Sequence, residues 1–288
     1  MDAKAVDSRI MTDLPVDPSY QLGTFRDNQD SLRRLKRQAS IATELELGYL
    51  ARAGLAERSR VLDIGCGPGI IASAIAQRAD PSRLVAGDTN VQSLEEVRRQ
   101  FEKDGVRNAE VRRLNVYDDR LCDAGEFDFV YSRLLFQHLS GPLLALTNIR
   151  QCLAENGRLC ICDIDDNWLT VHPGVEVFRA FIDRVGAAQR ARGGDRNVGG
   201  KLASHLLAAG YTDIRSEVML LSTELITKDA FCDLVFGYKL EVVPESELDA
   251  ARAELVQIKE AIDGPNGWAG AAIFFVSGRA KSNVGAHS

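Results

Sequence analysis

The 288-residue sequence has no apolar run near the ~18–20 residues that a membrane-crossing helix needs. Its first segment, Met1–Asp17, is polar and acidic and has no signal-peptide core, so it reads as a loose tail and the chain as cytoplasmic. There is no excess of basic residues. The net charge is −6, and no basic, aromatic-lined stripe interrupts it, which argues against a nucleic-acid partner. The six cysteines form no C-x-x-C pair and no His cluster accompanies them, so no metal site is expected. They read as reduced core thiols, and Cys160 and Cys162, two apart on one strand, should face the same side. The phosphate loop G-x-x-x-x-G-K-[ST] is absent, and so is the dinucleotide fingerprint G-x-G-x-x-G.

What is present is a soluble-type composition, 45% hydrophobic and 26% charged, enough to bury a large core. Strand and helix patterns alternate. Strands are expected at Arg60–Ile64, Arg83–Asp88, Ala109–Leu114, Phe127–Ser132, Gly157–Asp163, Ile214–Leu221 and Ala271–Gly278. Helices are expected at Pro68–Arg78, Val91–Asp104, Leu143–Leu153, Val175–Gln189 and Gly200–Ala209. Such alternation implies an α/β fold with a mostly parallel sheet covered on both faces. Two segments lie outside it. Asp30–Ala53 reads as a charged amphipathic helix. Lys228–Asp263 reads as a helical insert before the last strand, projecting over the carboxyl ends of the strands. Each is expected to be a lid or a packing element. The implied division is 1–54 tail and cap, 55–223 with 264–282 core, and 224–263 insert.

The most informative stretch is Val61-Leu62-Asp63-Ile64-Gly65-Cys66-Gly67-Pro68-Gly69, a strand that breaks into three alternating glycines and then a helix. Glycine lets backbone approach a ligand closely, and the helix start behind it offers unpaired N–H groups. The third glycine comes one residue too early for a pyrophosphate loop. Asp63, two residues ahead of the first glycine, suits a cationic ligand group instead.

This stretch resembles motif I of the class I S-adenosylmethionine-dependent methyltransferases, small-molecule type. The resemblance continues in order through Leu84–Asp88, whose acid falls 23 residues after Gly65, then Phe127–Ser132 and Asn156–Leu159. It covers about residues 55–165. It implies a three-layer, Rossmann-like sandwich with a seven-stranded sheet of order 3-2-1-4-5-7-6, the last strand antiparallel. It also implies S-adenosyl-L-methionine as cofactor, with the homocysteine compound as product.

By the same resemblance, Asp63, Gly65, Cys66 and Gly67 face the cofactor's amino-acid end and Asp88 its ribose. Thr89 adjoins the adenosine, and Asn115 and Val116 stand where the family often has an acid for adenine. Ser132 and Arg133 close the fourth strand near the amino-acid end; Arg133 either pairs with the cofactor carboxylate or makes an ion pair with an acid such as Asp128. Tyr20, Arg34 and Gln38 resemble the cap that closes over the cofactor. His138 is a candidate general base or a packing residue. Asp163, Asp165 and Trp168, just past the fifth strand, form either an amine-acceptor site or a polar loop. The expected activity is methyl transfer to a small-molecule acceptor at N, O or C, by a monomer or homodimer. A non-methylating scaffold or cyclase on the same fold is the alternative, with a nucleic-acid methyltransferase behind it.

Overall fold

The computed structural model describes residues 43–280. Tyr20, Arg34, Gln38 and most of the expected cap helix lie outside the described residues. Eight strands are present among them: β1 (Arg60–Ile64), β2 (Arg83–Asp88), β3 (Ala109–Arg113), β4 (Phe127–Arg133), β5 (Leu153–Ile164), β6 (Thr170–His172), β7 (Tyr211–Ser222) and β8 (Trp268–Ala280). They form one sheet of order β3-β2-β1-β4-β5-β8-β6, with β7 also paired to β8. Strands β1 to β5 run parallel, and β8 is antiparallel to β5, β6 and β7. The expected sixth and seventh strands are therefore β7 and β8. The added β6 is three residues long and pairs with the first residues of β8, too short to leave a periodic trace in the sequence.

The sheet divides the core in two by the alternation of side chains along each strand. Leu62, Ile64, Val130, Leu159 and Ile161 face one way, onto α4 (Pro142–Cys152) and α6 (Leu202–Ala208). Val61, Leu84, Ala86, Phe129 and Tyr131 face the other, onto α1 (Thr43–Ala53), α2 (Ile70–Arg78) and α3 (Val91–Asp104). Cys160 and Cys162 share this second face, and none of the six cysteines is in a disulfide. The three-layer sandwich is thus built from strands apolar on both faces, as parallel sheets require.

A third core is built on the β6 end of the sheet, where Val171, Leu221 and Ala269 join the helices. Phe181, Ile182 and Val185 of α5 (Val177–Ala191) pack with Phe231 and Phe236 of α7 (Lys228–Phe236). The same cluster takes in Val242 of α8 (Lys239–Val242) and Leu255, Ile258 and Ile262 of α9 (Leu248–Asp263). The insert between β7 and β8 therefore packs its apolar side chains with α5 and with the ends of β6, β7 and β8.

Candidate active site

One cavity runs along the carboxyl ends of β1, β2, β4 and β5, where open α/β sheets take their ligands. Its floor is the corner after β1. Gly67 has φ +52°, and a Cβ built there would meet nothing within 4 Å, so the loop leaves open space. Gly69 has φ +77°, and a Cβ there would lie 3.1 Å from the Val97 Cα, so the early third glycine serves close packing against α3.

Asp88 ends β2 at the cavity wall. Its Oδ2 accepts from the Gly67 N–H at 3.0 Å and its Oδ1 from the Asn90 N–H at 2.9 Å. Burial nevertheless raises its pKa, outweighing those donors. Asp63 is 1% exposed, and its Oδ1 has no hydrogen-bond partner. Burial, then the nearby Glu46 carboxylate, pushes its pKa up to about 8, against the pull of Arg133. A buried acid with an orphaned oxygen at a ligand cavity is an acceptor waiting for a donor.

Arg133 does not pair with Asp128, which instead binds the Arg60 guanidinium at 2.6 Å. Its Nε donates to Glu46 of α1 at 3.0 Å, and the Tyr131 hydroxyl donates to the other oxygen of that carboxylate. Glu46 is 1% exposed; within a charged helix pattern nothing in the sequence marked it as the buried member.

Thr89, Asn115 and Val116 stand in the wall. The Asn115 Oδ1 accepts from the Tyr117 N–H at 3.1 Å, which fixes how the amide faces. Leu134, directly after β4, adopts φ +52° and donates its N–H to the Cys162 carbonyl at 2.7 Å. A leucine in the left-handed region marks a strained corner at the site that no sequence pattern announces.

His138 is buried in the wall. Gln189 Nε2 lies 3.1 Å from its Nδ1 and also donates to the Gln137 carbonyl at 3.3 Å, which fixes the amide. With the amide so placed, the His138 Nδ1 stands as the acceptor of that contact. His138, a candidate base or a packing residue, thus has its Nδ1 engaged within the wall.

Past β5 the structure separates the residues that sequence reading grouped. Asp165 is in the wall, its oxygens accepting from the Asn167 and Gly200 N–H groups, each at 3.0 Å. Asp163 is fully buried behind it, accepting from the Ile164 and Gln137 N–H groups at 2.9 and 3.1 Å. Burial, opposed by those donors, lifts its pKa to about 7. Trp168 is 57% exposed, edge-on to Phe274, and neither it, Asp163 nor the fully buried Ser132 lines the cavity. The alternation of β4 turns Ser132 inward, and its Oγ has no partner.

What sequence reading missed are the two cations that join Asp166, the third acid of that cluster. Asp166, Arg196 and Lys239 are all buried and all in the wall. Arg196 donates to Asp166 through Nε at 2.9 Å and through its terminal nitrogen at 3.2 Å, and Lys239 reaches both carboxylate oxygens at 2.7 Å. Burial raises the Asp166 pKa, but the two cations outweigh it and hold the carboxyl near 2. Burial, then Arg196, draws Lys239 down to about 7, although Asp166 attracts it. The three come from the end of β5, a loop and the insert, separated by 30 and 43 positions, so no local motif joins them.

Among the described residues no group of His, Cys, Asp and Glu could hold a metal ion, and no helix is long and apolar enough to cross a membrane. A family model described as a methyltransferase domain matches residues 33–243, well over half of the chain. The (S)-coclaurine N-methyltransferase of Thalictrum flavum subsp. glaucum is 31% identical over 170 residues, covering 51% of this chain and 46% of that protein. The chain thus spans less than half the length of the curated relatives it matches. Phosphoethanolamine N-methyltransferase 2 of Haemonchus contortus, solved with S-adenosyl-L-methionine, superposes with TM-score 0.59 at 16% identity. That match covers 93% of this chain and 61% of that one. The [4+2]-cyclase SpnF superposes with TM-score 0.54 at 15% identity, covering 83% of this chain and 82% of that one, so the fold alone does not fix the reaction. Sheet order, glycine corner, strand-end acid and family match agree: the chain belongs to the class I S-adenosylmethionine-dependent methyltransferases.

Proposed function

We infer that the protein transfers a methyl group from S-adenosyl-L-methionine to a small-molecule acceptor bound beside it in the same cavity. The observation that carries this is the meeting of the Gly65–Gly69 corner, the orphaned Asp63 oxygen and Asp88 on one wall. The residues fit the cofactor. Asp88, already oriented by two N–H donors, receives the ribose hydroxyls. Asp63 receives the cationic amino group, and the open space over Gly67 admits the backbone approach. Asn115 and Val116 flank the adenine, and Arg133, anchored by Glu46, borders the amino-acid end.

When bound, the cofactor supplies a methyl group made electrophilic by its sulfonium charge. The chain's own contribution is then to hold donor and acceptor in line and to exclude water. Leu169, Leu221, Leu234, Val235 and Ile273 give the acceptor end of the cavity an apolar wall. Two of these belong to the insert, which supports reading 224–263 as a cover over the acceptor. Similarity to N- and O-methyltransferases of small molecules supports the substrate class.

The test is calorimetry with S-adenosylmethionine, S-adenosylhomocysteine and NAD on the same protein. The first two should bind and NAD should not. Asp88→Ala should weaken S-adenosylhomocysteine at least tenfold, since each charge-assisted hydrogen bond lost is worth about 1.5–3 kcal/mol. NAD binding in place of the other two, or an unchanged dissociation constant in the variant, would sink the reading.

A further inference from the structure

Asp166 cannot serve a cationic acceptor, because its oxygens are already engaged. Asp166 accepts four hydrogen bonds from Arg196 and Lys239, which fills the capacity of a carboxylate. Asp165 is held by two loop N–H groups and makes no ion pair with either cation. Unused donor capacity lies on the cationic side. An ammonium has three donors, and Lys239 spends two, both on Asp166. A guanidinium has five, and Arg196 spends three, the third on Gln137 Oε1 at 2.8 Å. Both side chains are nine-tenths or more buried and both face the cavity. Two buried basic side chains thus share one bound carboxylate, and each keeps donor capacity that no protein acceptor takes. Leaving charged donors unmet in a buried site is costly, and a ligand anion removes that cost.

We propose that the acceptor is an amphipathic carboxylate, whose anionic group pairs with Lys239 and Arg196 while its apolar body lies along Leu169, Leu221, Leu234 and Ile273. This deepens the methyltransferase reading and rests on it. The anchor stands at the end of β5, two strands across from Asp63 of β1, a separation of ~10 Å at ordinary strand spacing. The carboxylate therefore orients the acceptor, and the nucleophilic atom lies elsewhere on it, toward the glycine corner. The site also spans two units of the chain, since Lys239 comes from the insert and Asp166 and Arg196 do not.

The probes are octanoate, 1-octanol and octylamine, matched in chain length and differing in head-group charge. Each is titrated calorimetrically into wild-type protein saturated with S-adenosylhomocysteine. Octanoate should bind at least tenfold more tightly than either of the others. In Lys239→Met, which leaves Arg196 and Asp166 as a balanced pair, octanoate should fall to within threefold of octanol while S-adenosylhomocysteine binds as in wild type. Octanol or octylamine binding as tightly as octanoate overturns the proposal, and so does failure of octanoate to bind. The wild-type series decides the matter even if the variant does not fold. Prior titration with S-adenosylhomocysteine keeps the two readings apart. Its failure removes the methyltransferase assignment, whereas its success without head-group discrimination removes only the carboxylate.

Discussion

At the scale of single residues, Asp63 joins stability to ligand binding. Burial and Glu46 raise its pKa from the ordinary 3.8 to about 8 in the folded protein. Between those values the folded state binds a proton that the unfolded state has released. Stability therefore falls as pH rises through that window and levels off above about pH 8. Asp63→Asn carries no such titration. Relative to that variant, wild-type protein should lose on the order of 1 kcal/mol per pH unit between pH 6 and 7.5, measured by urea denaturation at both values. A cation seated against Asp63 reverses the preference and expels the proton. S-adenosylhomocysteine should thus release more protons at pH 7 from wild type than from Asp63→Asn, read by calorimetry in two buffers of different ionisation enthalpy. Parallel stability profiles and equal proton release would show that Asp63 is not a titrating contact.

Legibility in the sequence follows the range of the interaction that sets each feature. The glycine corner, Asp63 and Asp88 were readable because backbone conformation and a strand end are local properties. Among the described elements, the parallel strands were readable because a strand covered on both faces is continuously apolar, as Leu159–Cys162 is. Glu46, Arg196 and Lys239 were not, because a charged residue in a helix or loop reads as solvated until a distant partner buries it. Trp168 left a binding wall and a polar loop both open, because an aromatic beside acids fits either, and only the turn after β5 shows that it faces solvent.

At the scale of elements, the outer layer is tied to the sheet by charge as well as by apolar contact. α1 places Leu50 in the core and sets Glu46 against Tyr131 and Arg133 of β4. Removing one partner of a buried ion pair costs more than the pair itself contributes, because the remaining charge stays desolvated. Glu46→Gln keeps the shape and removes the charge. It should destabilise the protein by about 3 kcal/mol, measured by chemical denaturation. Because Arg133 lines the cavity, the same variant should also weaken S-adenosylhomocysteine, whereas Arg52→Ala, which breaks the exposed pair with Glu217, should change neither by more than about 0.5 kcal/mol. Equal effects of the two substitutions would deny α1 its role in holding the site.

At the scale of the whole molecule, the position of the insert over the cavity raises the question of what moves. A lid is drawn from the least stable parts of a fold. Helices α7 to α9 do not have that character throughout. Phe231 and Phe236 are fully buried, Ile258 and Ile262 likewise, and Arg184 of α5 binds Glu254 of α9 at 3.0 Å as well as Glu247. Any opening therefore carries α5 and the insert together, or is confined to the cavity-facing stretch Leu234–Lys239, where α7 ends and α8 begins. Lys239 ties that stretch to Asp166 after β5. Hydrogen exchange should show the interior amides of α9 protected without ligand and unchanged by S-adenosylhomocysteine. Amides of 234–239 should exchange faster at first and slow when ligand is bound. Rapid exchange across α9 that ligand suppresses would instead make the whole insert a hinged lid, free of the core it shares with α5.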